Sequence, residues 1–333
     1  MLRLLFAWLL VRHLAQGQIF VANHQGGSIG EYSLSGEPIN PALITGLAGP
    51  QGLATDGQGD LFVANHGGST IGKYYISGAE INRSFITNVN GPMGLVIPGD
   101  GFLYVANWGY NGKNTIGKYR LTGETVDAEL VKGLEIPCGL AADGKGHLFV
   151  AHGLSAIAEY TTDGKVVNPC FICGLNLPTD LAIDERGHFY VCTVGDRCIS
   201  EYDVDGKPVR VPLLANLGNP KWLALDGKGH IYMANPESNA LELYTTNGET
   251  LRAPFVEHLQ SPQGLVLIPP RPEIIQAKTP VEKAKPKNVR LYFALASCAL
   301  VLFLIFGSII FWKAKNRRRD HTTENSDLAQ GGG

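Results

Sequence analysis

The stretch PCGLAADGKGHLFVAHGLSAIAEY, residues 137–160, holds one copy of the pattern that decides the fold. A proline opens a short apolar strand, an Asp-Gly-Lys-Gly turn follows, and an aliphatic–aromatic–Val-Ala strand comes next. After a second turn, apolar and polar residues alternate in Ile157–Tyr160, as expected of a strand with one buried face. A proline at the first residue of a strand costs no ladder hydrogen bond. The stretch therefore predicts three consecutive strands joined by tight turns.

The same unit occurs six times between Gln18 and Pro270. Its aliphatic–aromatic strand begins at Ile19, Leu61, Leu103, Leu148, Phe189 and Ile231, with spacings of 42, 42, 45, 41 and 42 residues. An outer strand is expected in each copy, at residues 43–47, 85–89, 130–134, 171–175, 213–217 and 255–259. A period near 42 residues with this strand composition is typical of four-stranded propeller blades. The sequence therefore predicts an all-β, six-bladed β-propeller over residues 18–270.

The order of strands along the chain predicts that the ring is closed. The array begins at the second strand of a blade and ends with a lone inner strand, Gly264–Ile268. Pairing these two ends completes a sixth blade and removes two exposed sheet edges, which would otherwise template aggregation. We therefore expect the C-terminal inner strand to close the propeller.

The repeat resembles that of the NHL-repeat propellers. The similarity lies in Pro-x-Gly-Leu-Ala-x-Asp and in the aliphatic–aromatic–Val-Ala-Asn strand that follows a glycine turn. The repeat is most similar to that of secreted or surface bacterial propeller proteins with Val-Ala-Asn and Ile-Gly-x-Tyr repeats. The resemblance covers about three quarters of the chain. The resemblance implies the fold. It leaves the function open, because such propellers serve as binding platforms, lyases and lactonases.

The N-terminus has the features of an export signal. Within Met1–Gly17, Arg3 precedes an apolar stretch, and small residues at Ala15 and Gly17 suit cleavage before Gln18. We predict a signal peptide over residues 1–17. The alternative is a ragged, partly buried first strand.

The C-terminal region predicts a membrane anchor. Leu291–Trp312 contains 22 residues without a charge, and a rise of about 1.5 Å per residue gives ~33 Å, enough to cross a bilayer. Tyr292 and Trp312 lie near its ends, as interfacial aromatic residues do. The preceding residues 271–290 are rich in proline and lysine and predict an extended stalk. Residues 313–333 predict a basic, then polar, disordered tail.

The signal peptide decides the predicted orientation, because lysine and arginine residues flank the apolar span on both sides. We predict a single-pass membrane protein with an extracytoplasmic propeller and a cytoplasmic tail. A cytoplasmic propeller held by a tail anchor is the competing topology. The basic tail also resembles bacterial C-terminal sorting signals, but Pro272-Glu273 lies far upstream of the span, which favours a retained anchor.

In a propeller, the loops after the second strand and before the inner strand open on one face around the central channel. The predicted ligand-binding residues lie on this face or in the inner strands: Asn23, His24, Asn65, His66, Asn107, Trp108, His152, Asp180, Trp222 and Asn235. The repeated asparagines also suit caps of the turns. His24 and His66 are either two solvated loop histidines or ligands of a shared metal, and the solvated interpretation is favoured.

Two of these residues replace a glycine that four inner strands share. Asp180 and Trp222 stand where other copies have glycine. Asp180 is expected one blade from His152, where the pair would act as acid and base, hold a cation, or form an ion pair without chemistry. Trp222 is expected to stack against a sugar or aromatic ligand, or to fill the channel.

The cysteines predict one disulfide bond. Cys192 and Cys198 flank a short loop within one blade, and they are expected to face each other across it. Cys170 and Cys173 lie three residues apart in a predicted strand, where their side chains would leave opposite faces, so we expect them not to pair.

These features favour a non-catalytic binding platform for a protein, glycan or small ligand. A net charge of −2, with 17% charged residues, argues against nucleic acid as a partner. The first alternative is a lactonase- or lyase-like hydrolase with a cation at the channel mouth, which would need several convergent carboxylates. The second is a structural protein of the cell envelope. No catalytic residue, resident metal or cofactor is predicted.

Overall fold

A computed structural model describes residues 17–110 and 112–270. Their 24 strands form six four-stranded antiparallel sheets, and each sheet is one blade of a propeller. The predicted signal peptide, stalk, membrane span and tail lie outside the described residues, except for Gly17. Within the described ranges, no helix is long and apolar enough to cross a membrane.

The strands of each blade run outward from the channel in the following order. Blade 1 contains β24 (Pro262–Ile268), β1 (Gln18–Asn23), β2 (Ser28–Ser33) and β3 (Pro38–Ile44); blade 2 contains β4 (Pro50–Thr55), β5 (Asp60–Asn65), β6 (Thr70–Tyr75) and β7 (Glu80–Ile86); blade 3 contains β8 (Pro92–Val96), β9 (Phe102–Asn107), β10 (Thr115–Arg120) and β11 (Thr125–Lys132). Blade 4 contains β12 (Leu140–Ala142), β13 (His147–His152), β14 (Ala156–Thr161) and β15 (Val166–Cys173); blade 5 contains β16 (Pro178–Ile183), β17 (Phe189–Thr193), β18 (Cys198–Tyr202) and β19 (Pro208–Leu214); blade 6 contains β20 (Trp222–Leu225), β21 (His230–Asn235), β22 (Ala240–Thr245) and β23 (Thr250–Val256).

The two ends of the repeat array close the ring inside blade 1. Strand β24 pairs antiparallel with β1, with Gln18 opposite Ile268 and Val21 opposite Leu265. The predicted closed, six-bladed propeller is therefore confirmed. The core consists of six apolar clusters, of which five are each shared by two neighbouring blades. The sixth lies at the seam between blades 6 and 1 and also includes Met93 of blade 3 and Cys138 of blade 4.

Glycines let the inner strands approach one another closely around the channel. A Cβ atom added at Gly52 would lie 2.2 Å from the carbonyl oxygen of Met93, and one added at Gly94 would lie 2.3 Å from that of Cys138. Gly264 has the same relation to Gln51 across the seam, at 2.2 Å. Contacts this short exclude any side chain, so the shared glycine is a packing requirement of the ring.

Turns on one face are held by aspartate side chains. Asp143 accepts hydrogen bonds from the backbone N–H groups of Lys145 and His147, at 2.7 and 3.1 Å. Asp226 repeats this arrangement in blade 6. Such bonds satisfy the turn backbone locally. We call the face that carries these turns the lower face, and the opposite face, which carries the loops after the second strands, the upper face.

The outer strands begin earlier than predicted, and each contains a bulge. In blade 4, Glu159 faces Asn168 whereas Ile157 faces Ile172, so two residue steps of β14 span four of β15. The other five blades show the same shift. A bulge interrupts the alternation of side chains between the two faces of the sheet. Because these strands are also largely exposed, they show no regular alternation of apolar and polar residues in the sequence.

The structure reverses both expectations for the cysteines. The predicted Cys192–Cys198 disulfide is not formed, and both residues are buried free thiols. Cys198 lies opposite Thr193, and Cys192 lies opposite Ile199, so the two cysteines leave opposite faces of the sheet. The disulfide instead joins Cys170 to Cys173, whose Cα atoms are 5.5 Å apart. The bulge in β15 brings them together, since three steps of a regular strand cover about 10 Å.

Candidate functional site

The predicted asparagines support the loops of the upper face from below. Asn23, Asn65, Asn107 and Asn235 are all buried at the ends of their strands. Asn107 donates to the Thr115 hydroxyl at 3.2 Å, and Asn65 has the same relation to Thr70 at 3.3 Å. The Asn23 side chain accepts the N–H of Gln260 at 3.3 Å. These contacts favour the capping role of the repeated asparagine.

Two exposed aromatic rings stand beside a histidine on the upper face. The His66 ring lies 6.0 Å from Trp108 and 5.1 Å from Tyr110, measured between ring centroids. Trp108 is 42% exposed and Tyr110 is 64% exposed. The Tyr110 hydroxyl donates to the His66 carbonyl at 3.0 Å, and its backbone N–H donates to the Asn90 side chain at 3.4 Å. We call His66, Trp108 and Tyr110 the aromatic patch.

His66 within the patch and the neighbouring His24 have different surroundings, since the buried Nδ1 atom of His66 has no hydrogen-bond partner among the described residues. His24 Nδ1 lies 3.2 Å from Gln51 Nε2. Burial lowers the pKa of His66, and the charge of His24 acts in the same direction, while the carbonyl groups of Gly91 and Pro92 oppose the shift. His66 is therefore neutral at neutral pH. A neutral imidazole between aromatic rings suits an uncharged ligand surface better than an anion.

Asp180 is a buried group of the channel wall. It is 5% exposed, and its Oδ2 atom accepts the backbone N–H of Leu223 in the next blade at 3.0 Å. Burial raises the pKa of Asp180 to about 8, although hydrogen bonds from the N–H groups of Leu223 and Leu181 oppose the shift. The side chain is therefore mostly a neutral carboxylic acid at neutral pH.

Asp180 and His152 do not act as the predicted pair. Across the described ranges, neither ring nitrogen of His152 has a hydrogen-bond partner, and Asp180 bonds Leu223 instead. Burial lowers the pKa of His152, and the carboxylate that acts on it electrostatically belongs to Glu135. The two residues are thus separate features of neighbouring blades.

Trp222 fills the channel instead of lining an open site. It is 5% exposed and packs in one cluster with Met93, Cys138 and Leu265, which come from three other blades. The remaining channel cavity is about 90 Å³, and Asp180 and Trp222 are among its lining residues. Among the alternatives for Trp222, the geometry favours channel filling.

The described residues offer no evident metal centre. Nowhere in residues 17–110 and 112–270 do three or more His, Cys, Asp or Glu side chains come together as a group that could hold a metal ion. Burial raises the pKa values of Cys138 and Cys192 near the channel, so both remain protonated thiols at neutral pH. Lys221 is the charged side chain that acts electrostatically on both thiols, and its Nζ atom lies 5.9 Å from the centroid of the Trp222 ring.

Comparison with known proteins supports the fold. A scan against protein-family models and a search of curated protein sequences return no match. A chain of a nidogen/laminin complex superposes with a TM-score of 0.66 at 18% identity, over 75% of this chain and 98% of that chain. A gluconolactonase from Xanthomonas campestris gives 0.57 at 16% identity, over 66% and 80%. A virginiamycin B lyase from Staphylococcus aureus gives 0.55 at 16% identity, over 75% and 84%.

Identities this low establish the shared propeller architecture and leave the activity open. Both a chain from a protein–protein complex and two enzymes occur among the similar structures. The surface chemistry of this chain therefore decides which of these functions it supports.

Sequence reasoning missed Tyr110 and Glu242. Tyr110 lies in a loop insertion of blade 3, where the spacing to the next copy is 45 residues instead of 41 or 42. This extra loop length is the sequence feature that could have pointed to Tyr110. Glu242 occupies a position that is small in every other blade, and comparison of the six copies would have identified it.

Proposed function

We propose that the propeller is a non-catalytic binding platform whose ligand contacts the upper face at the aromatic patch. The observation that carries this proposal is the exposure of Trp108 and Tyr110 side by side around His66. Exposed tryptophan and tyrosine side chains are enriched at binding hot spots, because they bury large apolar areas while retaining a polar atom. A protein surface, a glycan or a small uncharged molecule fits this chemistry.

The properties of Asp180 support binding over hydrolysis. A cation-dependent lactonase or lyase needs several ionised carboxylates that converge on one point. Asp180 is buried, neutral and already bonded to Leu223. The shared propeller fold is the only observation that supports the hydrolase alternative. No feature of the described surface favours a purely structural role in the cell envelope.

The proposal includes display outside the cytoplasm on a single membrane-spanning helix, Leu291–Trp312, after removal of residues 1–17. The Cys170–Cys173 disulfide supports an oxidising compartment, because such bonds are rare where thiol reductants are active. The proline- and lysine-rich residues 271–290 would then separate the ring from the membrane.

A substitution series tests the binding face. The full-length protein is screened against immobilised glycans and secreted proteins, and the affinity for each hit is measured for Trp108→Ala and Tyr110→Ala. We expect at least a tenfold loss, about 1.4 kcal/mol, because each change removes a large contact surface. The matched control is Tyr75→Ala, which removes a 52% exposed tyrosine at the lower-face end of β6.

The control decides the interpretation. A loss confined to Trp108→Ala and Tyr110→Ala supports the aromatic patch. An equal loss in Tyr75→Ala, or unchanged affinity in all three variants, would contradict the proposed site.

A further inference from the structure

One buried position differs between blade 6 and the rest of the ring. Counted outward from the channel, the third strand of each blade contains a repeated tyrosine. The residue two positions before this tyrosine is Gly30, Gly72, Gly117, Ala158 or Ser200 in blades 1 to 5, and Glu242 in blade 6. The glycines leave room for the tyrosine ring, since a Cβ atom added at Gly72 would lie 2.7 Å from the Tyr74 side chain. Blade 6 places a carboxylate where the other blades have almost no side chain.

The Glu242 carboxylate has three neutral donors. Its Oε1 atom accepts from Asn235 Nδ2 at 2.8 Å and from the Ser238 hydroxyl at 3.2 Å, and its Oε2 atom accepts from the Tyr244 hydroxyl at 2.5 Å. Burial and this last hydrogen bond raise the pKa of Tyr244, so its hydroxyl stays protonated. The donors hold the carboxylate in one orientation without neutralising its charge.

A cation is missing from this arrangement. Glu242 is 8% exposed, yet no lysine, arginine or histidine of the described residues forms an ion pair with it. The buried Glu201 of blade 5 is different, because Arg210 and His188 both contact it. Buried carboxylates are ordinarily paired with a positive charge, because removal from water is costly for an isolated ion.

Glu242 lines an open groove of about 630 Å³ on blade 6. The walls next to it include Ala240, Ala253 and Pro254, which are apolar. Glu257 adds a second acidic side chain, whose carboxylate lies 3.7 Å from the Nε2 atom of His258, another residue that lines the groove. A carboxylate among apolar walls suits a short alkyl chain that ends in a positive charge. A hard metal ion would need more oxygen ligands than this groove brings together.

We propose that the groove binds an alkylammonium group, as found at the end of a lysine side chain or in a small primary amine. The ammonium group forms the missing ion pair with Glu242, and its methylene groups pack against Ala240 and Pro254. This site is independent of the aromatic patch, which lies on blades 2 and 3, so either can exist without the other.

The test uses the full-length protein and three defined probes: Nα-acetyl-lysine methylamide, its Nε-acetylated form, and n-butylammonium. We expect calorimetry to detect binding of the charged lysine derivative and at least tenfold weaker binding of the acetylated form. Glu242→Ser should lower the affinity for the charged derivative at least tenfold. Serine is chosen because Ser200 occupies the same position in blade 5, beside Tyr202. The matched control is Glu249→Gln, which removes an exposed carboxylate from the same blade.

Hydrogen-exchange mass spectrometry of the unmodified protein provides a second measurement that needs no variant. Saturating lysine derivative should protect residues 238–242 and 253–258. Binding of n-butylammonium with similar affinity identifies a site for small amines, whereas preference for the lysine derivative identifies a partner's lysine side chain. Equal affinity for the charged and acetylated probes, an unaffected Glu242→Ser variant, or protection elsewhere would overturn the proposal.

Discussion

At the scale of single residues, Asp180 shows how one substitution changes the channel. The glycine at this position in blades 1, 2 and 3 allows backbone to meet backbone, whereas Asp180 bonds the Leu223 N–H with a side chain. Its pKa of about 8 exceeds the ordinary value of 3.8. Between these two values the unfolded chain binds fewer protons than the folded protein. The contribution of Asp180 therefore makes the folded state less stable as the pH rises from about 4 to 8.

Replacing Asp180 with Asn should remove this pH dependence, because the amide has no proton to lose in this range. One pKa unit corresponds to about 1.4 kcal/mol. We expect the stability of Asp180→Asn relative to the wild type to increase by at least about 1.4 kcal/mol between pH 5 and pH 8. Urea unfolding at several pH values measures the difference. Asp163→Asn, at an exposed turn, is the control, and parallel pH profiles of Asp180→Asn and wild type would refute the assignment.

At the scale of strands, the inner three strands of each blade could be predicted from the sequence, and the outer one could not be placed accurately. The inner strands bury regular apolar positions, which repeat from copy to copy. The outer strands are exposed and bulged, so neither apolar spacing nor alternation marks their limits. The error about Cys170 and Cys173 has the same origin, because it assumed a regular strand.

Strand β24 is expected to be indispensable to the ring. A chain ending at Gln260 lacks β24, which exposes the edge of β1 and removes the buried Leu265 from the seam between blades 6 and 1. We expect this chain to aggregate or to lose its cooperative thermal transition. A chain ending at Pro270 keeps β24 and is the matched control. If both chains were monomeric with the same Tm, the closing role of β24 would be wrong.

At the scale of the whole molecule, repetition explains what the sequence could and could not reveal. Six copies predict a ring and its closure, because equivalent positions in the six copies have similar residues and occupy similar environments. The aromatic patch depends on Trp108 and Tyr110, whose contacts come from loops of two blades, and the groove on blade 6 depends on Glu242, whose contacts come from a neighbouring strand and loop. Local sequence patterns contain no information about those contacts. Trp108 was identified from its loop position, but its neighbour Tyr110 was not.

The proposed location of the molecule can be checked through its cysteines. In an exported protein we expect Cys170 and Cys173 to be recovered as a disulfide-linked peptide, and Cys138, Cys192 and Cys198 as free thiols after unfolding. Peptide mapping of the natively expressed protein, alkylated without reduction, measures this. The same protein reduced before alkylation is the control. Complete alkylation of Cys170 and Cys173 without reduction would argue against an oxidising compartment.

The pairing of Gln18 with Ile268 puts both limits of the ring at one spot on its lower face. Gly17 and Pro270 are in contact there, since a Cβ atom added at Gly17 would lie 2.9 Å from the Pro270 side chain. Trp108 and Tyr110 lie on the opposite face. A carrier protein or a solid support attached at either limit would therefore hold every ring in the same orientation, with its aromatic residues facing outward and unobstructed.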